Sequence, residues 1–234
     1  MKVLVINGSP RKERGATGGI LSVFVEGMKD AGADVDIIYS KGLDIGDCRG
    51  CFNCWTTTPG KCIQDDDMTE ILGQMADSDL LVYATPVYVD GMTGSLKTLL
   101  DRAIPLLHGA FVLRDDHCRH ELRDHVKSGK IALVSVSGFT EMDNFDPLIT
   151  HMKAMSKNLN REFVGSLLRP YAWIVNPSLE QGAPLGDIIE AIKEAGRQLV
   201  TEGKMKEETL AIIAREIIPR EEVITMMKGH YGDK

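Results

Sequence analysis

Hydrophobic and polar positions along this chain follow two patterns that take turns. Short apolar runs, each ending in a polar stretch with glycine or proline, read as strands buried on both faces. The segments after them repeat apolar residues every three or four positions, the spacing of a helix with one buried side. Lys2–Ile6 is the first run, and Ile20, Leu21, Phe24, Val25 and Met28 then mark a helix reaching Lys29 or Asp30. Asp34–Tyr39 alternates and reads as the second strand. A helix is expected over about Met68–Ala76, with Asp65, Asp66 and Asp67 supplying caps and first-turn carboxylates rather than a cation site. Asp79–Ala84 is the third strand, followed by a helix through Ser95, Leu96, Lys97, Leu99, Leu100 and Asp101. Lys130–Ser137 is the fourth, and its helix, about Asn144 to Asn158, carries Phe145, Leu148, Ile149, Met152 and Met155 on one side. Arg161–Val175 contains a fifth strand, interrupted at Arg169-Pro170. Leu185–Leu199 is an amphipathic helix, and two more helical segments, about Glu207–Ile217 and Arg220–Met227, are split by Pro219. Residues 108–128 fit neither period and read as a solvated polar insertion.

Five strands alternating with helices predict an α/β protein with a doubly wound, five-stranded parallel sheet of order 2-1-3-4-5 and extra C-terminal helices. No repeat, low-complexity tract or linker divides the 234 residues. Residues 1–203 are therefore expected to form one domain, with 204–234 as a helical extension. Such an apolar tail fits packing on a partner subunit, so a homo-dimer or homo-tetramer is expected. The net charge of −7 argues against nucleic acid or an anionic membrane as partner. No apolar run approaches the roughly 20 residues of a bilayer span. Met1–Ile6 leads straight into a strand without signal-peptide anatomy, so a cytoplasmic location is expected.

The cysteines change the picture most. Four of the five lie within fifteen residues as C-x2-C-x2-C-x7-C: Cys48, Cys51, Cys54 and Cys62, in a loop over residues 47–62 after the second strand. Such spacing lets thiolates converge on one centre, as in many zinc and iron–sulfur sites. In a reducing compartment it reads as metal-binding or redox chemistry rather than a disulfide framework. Cys118 stands apart and reads as an ordinary thiol. Asp115, His117, Cys118, His120 and His125 are a second place to look for metal, although a solvated loop explains them more cheaply.

The first strand runs into Asn7-Gly8-Ser9-Pro10-Arg11 and on to the helix that follows. Strand, Gly/Ser loop and helix N-terminus together suit an anion. Neither GxxxxGK[ST] nor GxGxxG occurs here, so a single terminal phosphate, as on FMN, fits better than a nucleoside triphosphate or a dinucleotide. An ordinary strand-to-helix loop is the alternative. The third strand ends in Thr85–Gly94, rich in proline and glycine, where Tyr88 either stacks on a ligand ring or packs in the core. In the expected strand order these loops and the one after the fourth strand meet at one sheet edge.

Gly8-Ser9-Pro10-Arg11, Pro86-Val87-Tyr88 and Leu96-Lys97-x-x-x-Asp101-Arg102 together resemble the NADPH-dependent FMN reductase family of flavodoxin-like proteins. The cysteines followed by Asp65-Asp66-Asp67-Met68 are similar to its iron–sulfur flavoprotein branch, over roughly residues 1–175. The resemblance implies FMN, its phosphate on Ser9, Arg11, Ala16 and Thr17. It places the ring along Pro86, Val87, Tyr88 and Val89 and the Ser137-Gly138 turn. It also implies a [4Fe–4S] cluster on the four loop cysteines, and redox exchange with NAD(P)H, a small molecule, ferredoxin or a quinone. Two departures stand out. The family's Asn-Thr pair is Ala16-Thr17, removing a donor that Arg14 can replace, and the last cysteine gap is long. A cluster-free NAD(P)H-dependent FMN or quinone reductase, and a zinc-stabilised binding module, are the alternatives. No side chain is singled out as a catalytic acid or base, because the redox chemistry belongs to the cofactor.

Overall fold

The structure, a computed structural model, describes residues 1–175 and 185–232. In chain order its strands are β1 (Lys2–Asn7), β2 (Asp34–Tyr39), β3 (Leu80–Pro86), β4 (Leu107–Arg114), β5 (His117–Leu122), β6 (Lys130–Val136) and β7 (Glu162–Arg169). The helices are α1 (Ala16–Asp30), α2 (Met68–Asp77), α3 (Gly94–Asp101), α4 (Asp146–Asn158), α5 (Gly186–Thr201), α6 (Glu207–Ala214) and α7 (Arg220–Tyr231). Five strands pair in parallel as β2-β1-β3-β6-β7. This is the expected 2-1-3-4-5 order of a flavodoxin-like sheet.

Strand alternation divides the interior between two layers. Val3 and Val5 of β1, Val82 of β3 and Val134 of β6 meet α1 and α5 on one face. Leu4, Ile6, Leu81, Tyr83, Ile131 and Leu133 meet the layer formed with α2, α3 and α4 on the other. Helices α1 and α5 cross closely where both carry glycine. A Cβ on Gly27 would lie 1.8 Å from the Lys193 carbonyl oxygen, and one on Gly196 would lie 2.1 Å from that of Phe24. Strand β7 keeps register with β6 apart from one irregularity and stops at Arg169, before Pro170, which has no N–H to offer.

The stretch after α3 corrects the sequence reading. Residues expected as a solvated insertion form an antiparallel hairpin, β4-β5. Its polar side chains hid the strand period, because only some positions touch the body of the protein. His120 packs at a tilt against Trp55 of the cysteine loop at 4.6 Å, and Phe111 meets His120 at 5.0 Å. Among the described residues, no three of the Asp, His, Cys and Glu side chains here or elsewhere gather to hold a single metal ion.

The aspartate triplet caps α2 one residue earlier than the helix boundary implies. Asp66 Oδ1 accepts the Met68 N–H at 3.2 Å, whereas Asp67 accepts the Asp44 N–H at 2.7 Å. The C-terminal extension divides in two: α6 buries Ile213 in the shared core, while α7 buries Val223 and leaves Ile224, Met226 and Tyr231 exposed.

Candidate functional site

Parallel pairing brings the carboxyl ends of β1, β3 and β6 side by side, and the loops leaving them are stitched together. The Gly8 N–H donates to the Ala84 carbonyl at 2.7 Å. The Thr93 hydroxyl, from the end of the β3 loop, donates to the Gly8 carbonyl at 2.7 Å. That contact explains the glycine: a Cβ there would sit 2.8 Å from Thr93 Oγ1 and 2.9 Å from Leu96 Cβ. The Val87 N–H reaches the Val136 carbonyl at 2.8 Å, joining the β3 and β6 loops.

In the first loop, Asn7 is fully buried and accepts the Ser9 N–H through Oδ1 at 2.8 Å. Its Nδ2 is buried without a partner. A side-chain amide left with two unused donors is costly, and it marks a place where an acceptor is expected. Ser9 and Thr17 are buried, Ala16 is half-buried and Arg11 is exposed. No side chain caps α1. The first-turn N–H groups therefore keep their preference for an anion, reinforced by the helix dipole.

Of the residues the resemblance sets along the ring, Val87, Tyr88, Val89, Ser137 and Gly138 line one cavity of about 530 Å³, together with Asp90, Phe139 and Asn144. Pro86, Ser9, Arg11, Ala16 and Thr17 lie outside that lining. Tyr88 is half-exposed rather than packed in the core. Tyr88 and Gly91 exchange backbone hydrogen bonds of 2.9 and 3.1 Å, and the tight turn drives Val89 and Asp90 to φ of 46° and 60°. A β-branched residue in the left-handed region is strained, and Val89 is 99% exposed. Asp90, Phe139 and Asn144 were not anticipated. Asp90 and Phe139 lie close to Tyr88 and Gly138 in the sequence, whereas Asn144, further along the chain, carried no such signal.

The cysteine loop is held by backbone turns and by two arginines. Cys48, Cys51, Cys54 and Cys62 line one small cavity together with Arg102, Ile104 and Pro105. Cys54 is buried, Cys48 and Cys51 are exposed, and Cys62 is intermediate. Burial pushes the Cys54 thiol up, and the neighbouring Cys62, Cys51 and Cys48 add to this. Arg123 Nη2 donates to the Cys54 carbonyl at 3.0 Å and Trp55 Nε1 to the Ile104 carbonyl at 3.1 Å.

Arg102, only 1% exposed, forms a two-pronged pair with Asp66 at 2.7 and 3.0 Å and donates to the Gly46 carbonyl at 2.6 Å. Burial disfavours this guanidinium, but the hydrogen bond to Asp66 and the Cys62 thiol beside it raise its pKa overall. Burial likewise opposes ionisation of Asp66, and the bonds from Arg102 and Gly46 outweigh it and hold the carboxyl below its usual range. The sequence resemblance contained Arg102 but gave it no role.

The family model for NADPH-dependent FMN reductase matches residues 1–140. An iron–sulfur flavoprotein of Archaeoglobus fulgidus is 38% identical over 115 residues, 49% of this chain and 55% of that protein. One from Methanosarcina thermophila is 32% identical over 115 residues, 49% of this chain and 59% of its own length. The chain thus spans about half the length of the curated relatives it matches. Among solved structures, an FMN-dependent NADH-azoreductase from Bacillus anthracis, in complex with FMN, superposes with a TM-score of 0.62 at 16% identity, over 86% of this chain and 99% of that one. An NAD(P)H:quinone oxidoreductase from Methanothermobacter marburgensis gives 0.61 at 15% identity, over 85% and 96%. At these identities the two structures speak for the fold.

Proposed function

Because the chain belongs to the NADPH-dependent FMN reductase family, we propose that it is an FMN-dependent oxidoreductase, oxidising NAD(P)H, with a [4Fe–4S] cluster on Cys48, Cys51, Cys54 and Cys62. The observation that carries the flavin reading is the meeting of three loops at one sheet edge, with an unpartnered amide and an uncapped helix start in the first. FMN supplies both two-electron and one-electron exchange when bound. The chain's own residues bind and orient it. Ser9, Ala16, Thr17 and Asn7 offer donors to the phosphate and Arg11 adds charge, while Pro86, Val87, Tyr88, Val89, Ser137 and Gly138 flank the ring.

The cluster reading rests on four thiols around one cavity beside a buried guanidinium, which offsets the negative charge of thiolates. A ferredoxin, a quinone or another small molecule fits as acceptor, in a homo-dimer or homo-tetramer. No helix among the described residues is long and apolar enough to cross a membrane.

The deciding experiment is an anaerobic absorption spectrum with flavin, iron, sulfide and zinc quantified per chain. The reading expects bound FMN with about four iron and four sulfide. FMN without iron would leave a cluster-free reductase. Zinc with neither bound flavin nor uptake of added FMN would favour a zinc-stabilised binding module.

A further inference from the structure

Arg169, the last residue of β7, is a buried cation without an anion. It is 1% exposed. Its Nη1 donates to the carbonyls of Ile213 and Arg215, both at 2.7 Å, at the C-terminal end of α6. Its Nε is buried with no partner. No carboxylate among the described residues pairs with it. Arg161 shows what a purely structural arginine looks like here: both its Nη atoms are spent on the Ser78 and Met75 carbonyls at the end of α2. Arg169 keeps donor capacity in reserve, and it lines a cavity of about 390 Å³ together with Thr140, Tyr171, Arg215 and Arg220.

We propose that this cavity binds a compact oxyanion, the phosphate or carboxylate group of a small molecule, with Arg169 as its buried counter-charge. A guanidinium taken out of water is costly unless a charge or a full set of hydrogen bonds compensates it, and its planar fork suits a two-oxygen partner. Arg215 lines the same cavity while bound to Asp187 by two bonds of 2.9 and 2.8 Å, so its position is fixed. Arg220 is held loosely, 3.6 Å from Glu141 and 3.8 Å from Glu221, and can turn towards a ligand. Glu141, Glu216 and Glu221 also line the cavity but are exposed, so the buried charge in its lining is positive. Burial and the neighbouring Arg215 lower the Arg169 pKa to about 10, which leaves it protonated at neutral pH.

The test uses the full chain saturated with FMN, so that a phosphate loop holding FMN does not compete. Melting temperature is followed against inorganic phosphate, and separately acetate, at ionic strength held constant with chloride. The site predicts a rise of several degrees with one or both anions over the chloride control, its loss in Arg169→Gln, and affinity weakened several-fold in Arg220→Gln. A preference between the two anions assigns the oxyanion. A response equal to that of chloride, or one retained in full by Arg169→Gln, would overturn the site. Should Arg169→Gln fail to fold, amide shift mapping of the unmutated protein decides. Phosphate- or acetate-dependent shifts clustered at Thr140, Tyr171 and Arg220 support it, and their absence there rejects it.

Discussion

The Asp66–Arg102 pair shows how one buried contact ties the cysteine loop to the end of α3. Arg102 at the end of α3 holds Asp66 and the Gly46 carbonyl, one on each flank of the cysteine loop, and lies beside Cys62. Asp66→Asn would leave the guanidinium buried without its counter-charge, and a loss of about 3 kcal/mol is expected in urea denaturation. The pH dependence follows from the depressed carboxyl. Its contribution is complete above the unfolded-state value of roughly 3.9 and is lost as pH falls through the lower folded value. Acid titration of the folded protein should therefore show a destabilisation below about pH 4 that Asp66→Asn lacks.

Val89 makes the opposite point. Its side chain touches little and its backbone is strained, so Val89→Gly should raise stability by about 1 kcal/mol, read from the same urea curves. Neither feature was legible in the sequence. The aspartate triplet looked like a helix start, which was half of its role. A valine gives no sign of a left-handed turn, because bonds between Tyr88 and Gly91 impose it.

At the scale of elements, legibility followed periodicity. The five core strands and the helices around them were readable because burial on one or two faces leaves a period of 2 or 3.6 in the sequence. The β4-β5 hairpin was not, because only its base, Leu107 and Leu122, reaches the core while its outer part exposes Phe111 and Leu113 at 72% and 75%. Its role emerges from contact: Trp55 is wedged between Phe52, at 5.1 Å, and His120, with Gly109 leaving room for the indole. Trp55→Ala should loosen the cysteine loop and lower iron per chain while FMN content stays near that of the unmutated protein, measured on the same anaerobic preparations. The α1–α5 crossing is the tightest element contact. Gly196→Ala should cost about 1–3 kcal/mol or more by forcing the helices apart, despite alanine's better helix propensity.

For the whole molecule, sheet order was readable because parallel strands joined by helices have few topologies open to them. The loops at its carboxyl edge could be assigned from that order alone, but the links that make them a site, such as Thr93 to Gly8, could not, since they join residues 85 apart. The extension beyond residue 203 also needed the structure. A chain ending before Pro219 should lose only the helical ellipticity of α7 itself and keep nearly all of its urea midpoint, because α7 buries little beyond Val223. One ending at Gly203 should lose several kcal/mol by uncovering the pocket for Ile213 and removing the carbonyls that Arg169 holds.

The uneven exposure of the four loop sulfurs bears on how the protein survives handling in air. Cys48 and Cys51 face solvent, whereas Cys54 is shielded and its thiol holds its proton more tightly. In metal-free material, iodoacetamide should therefore label Cys48 and Cys51 first and Cys54 last, an order that peptide mass mapping reads directly. The same ranking predicts where oxygen acts first: the two surface thiols at the front of the motif should oxidise before the buried one.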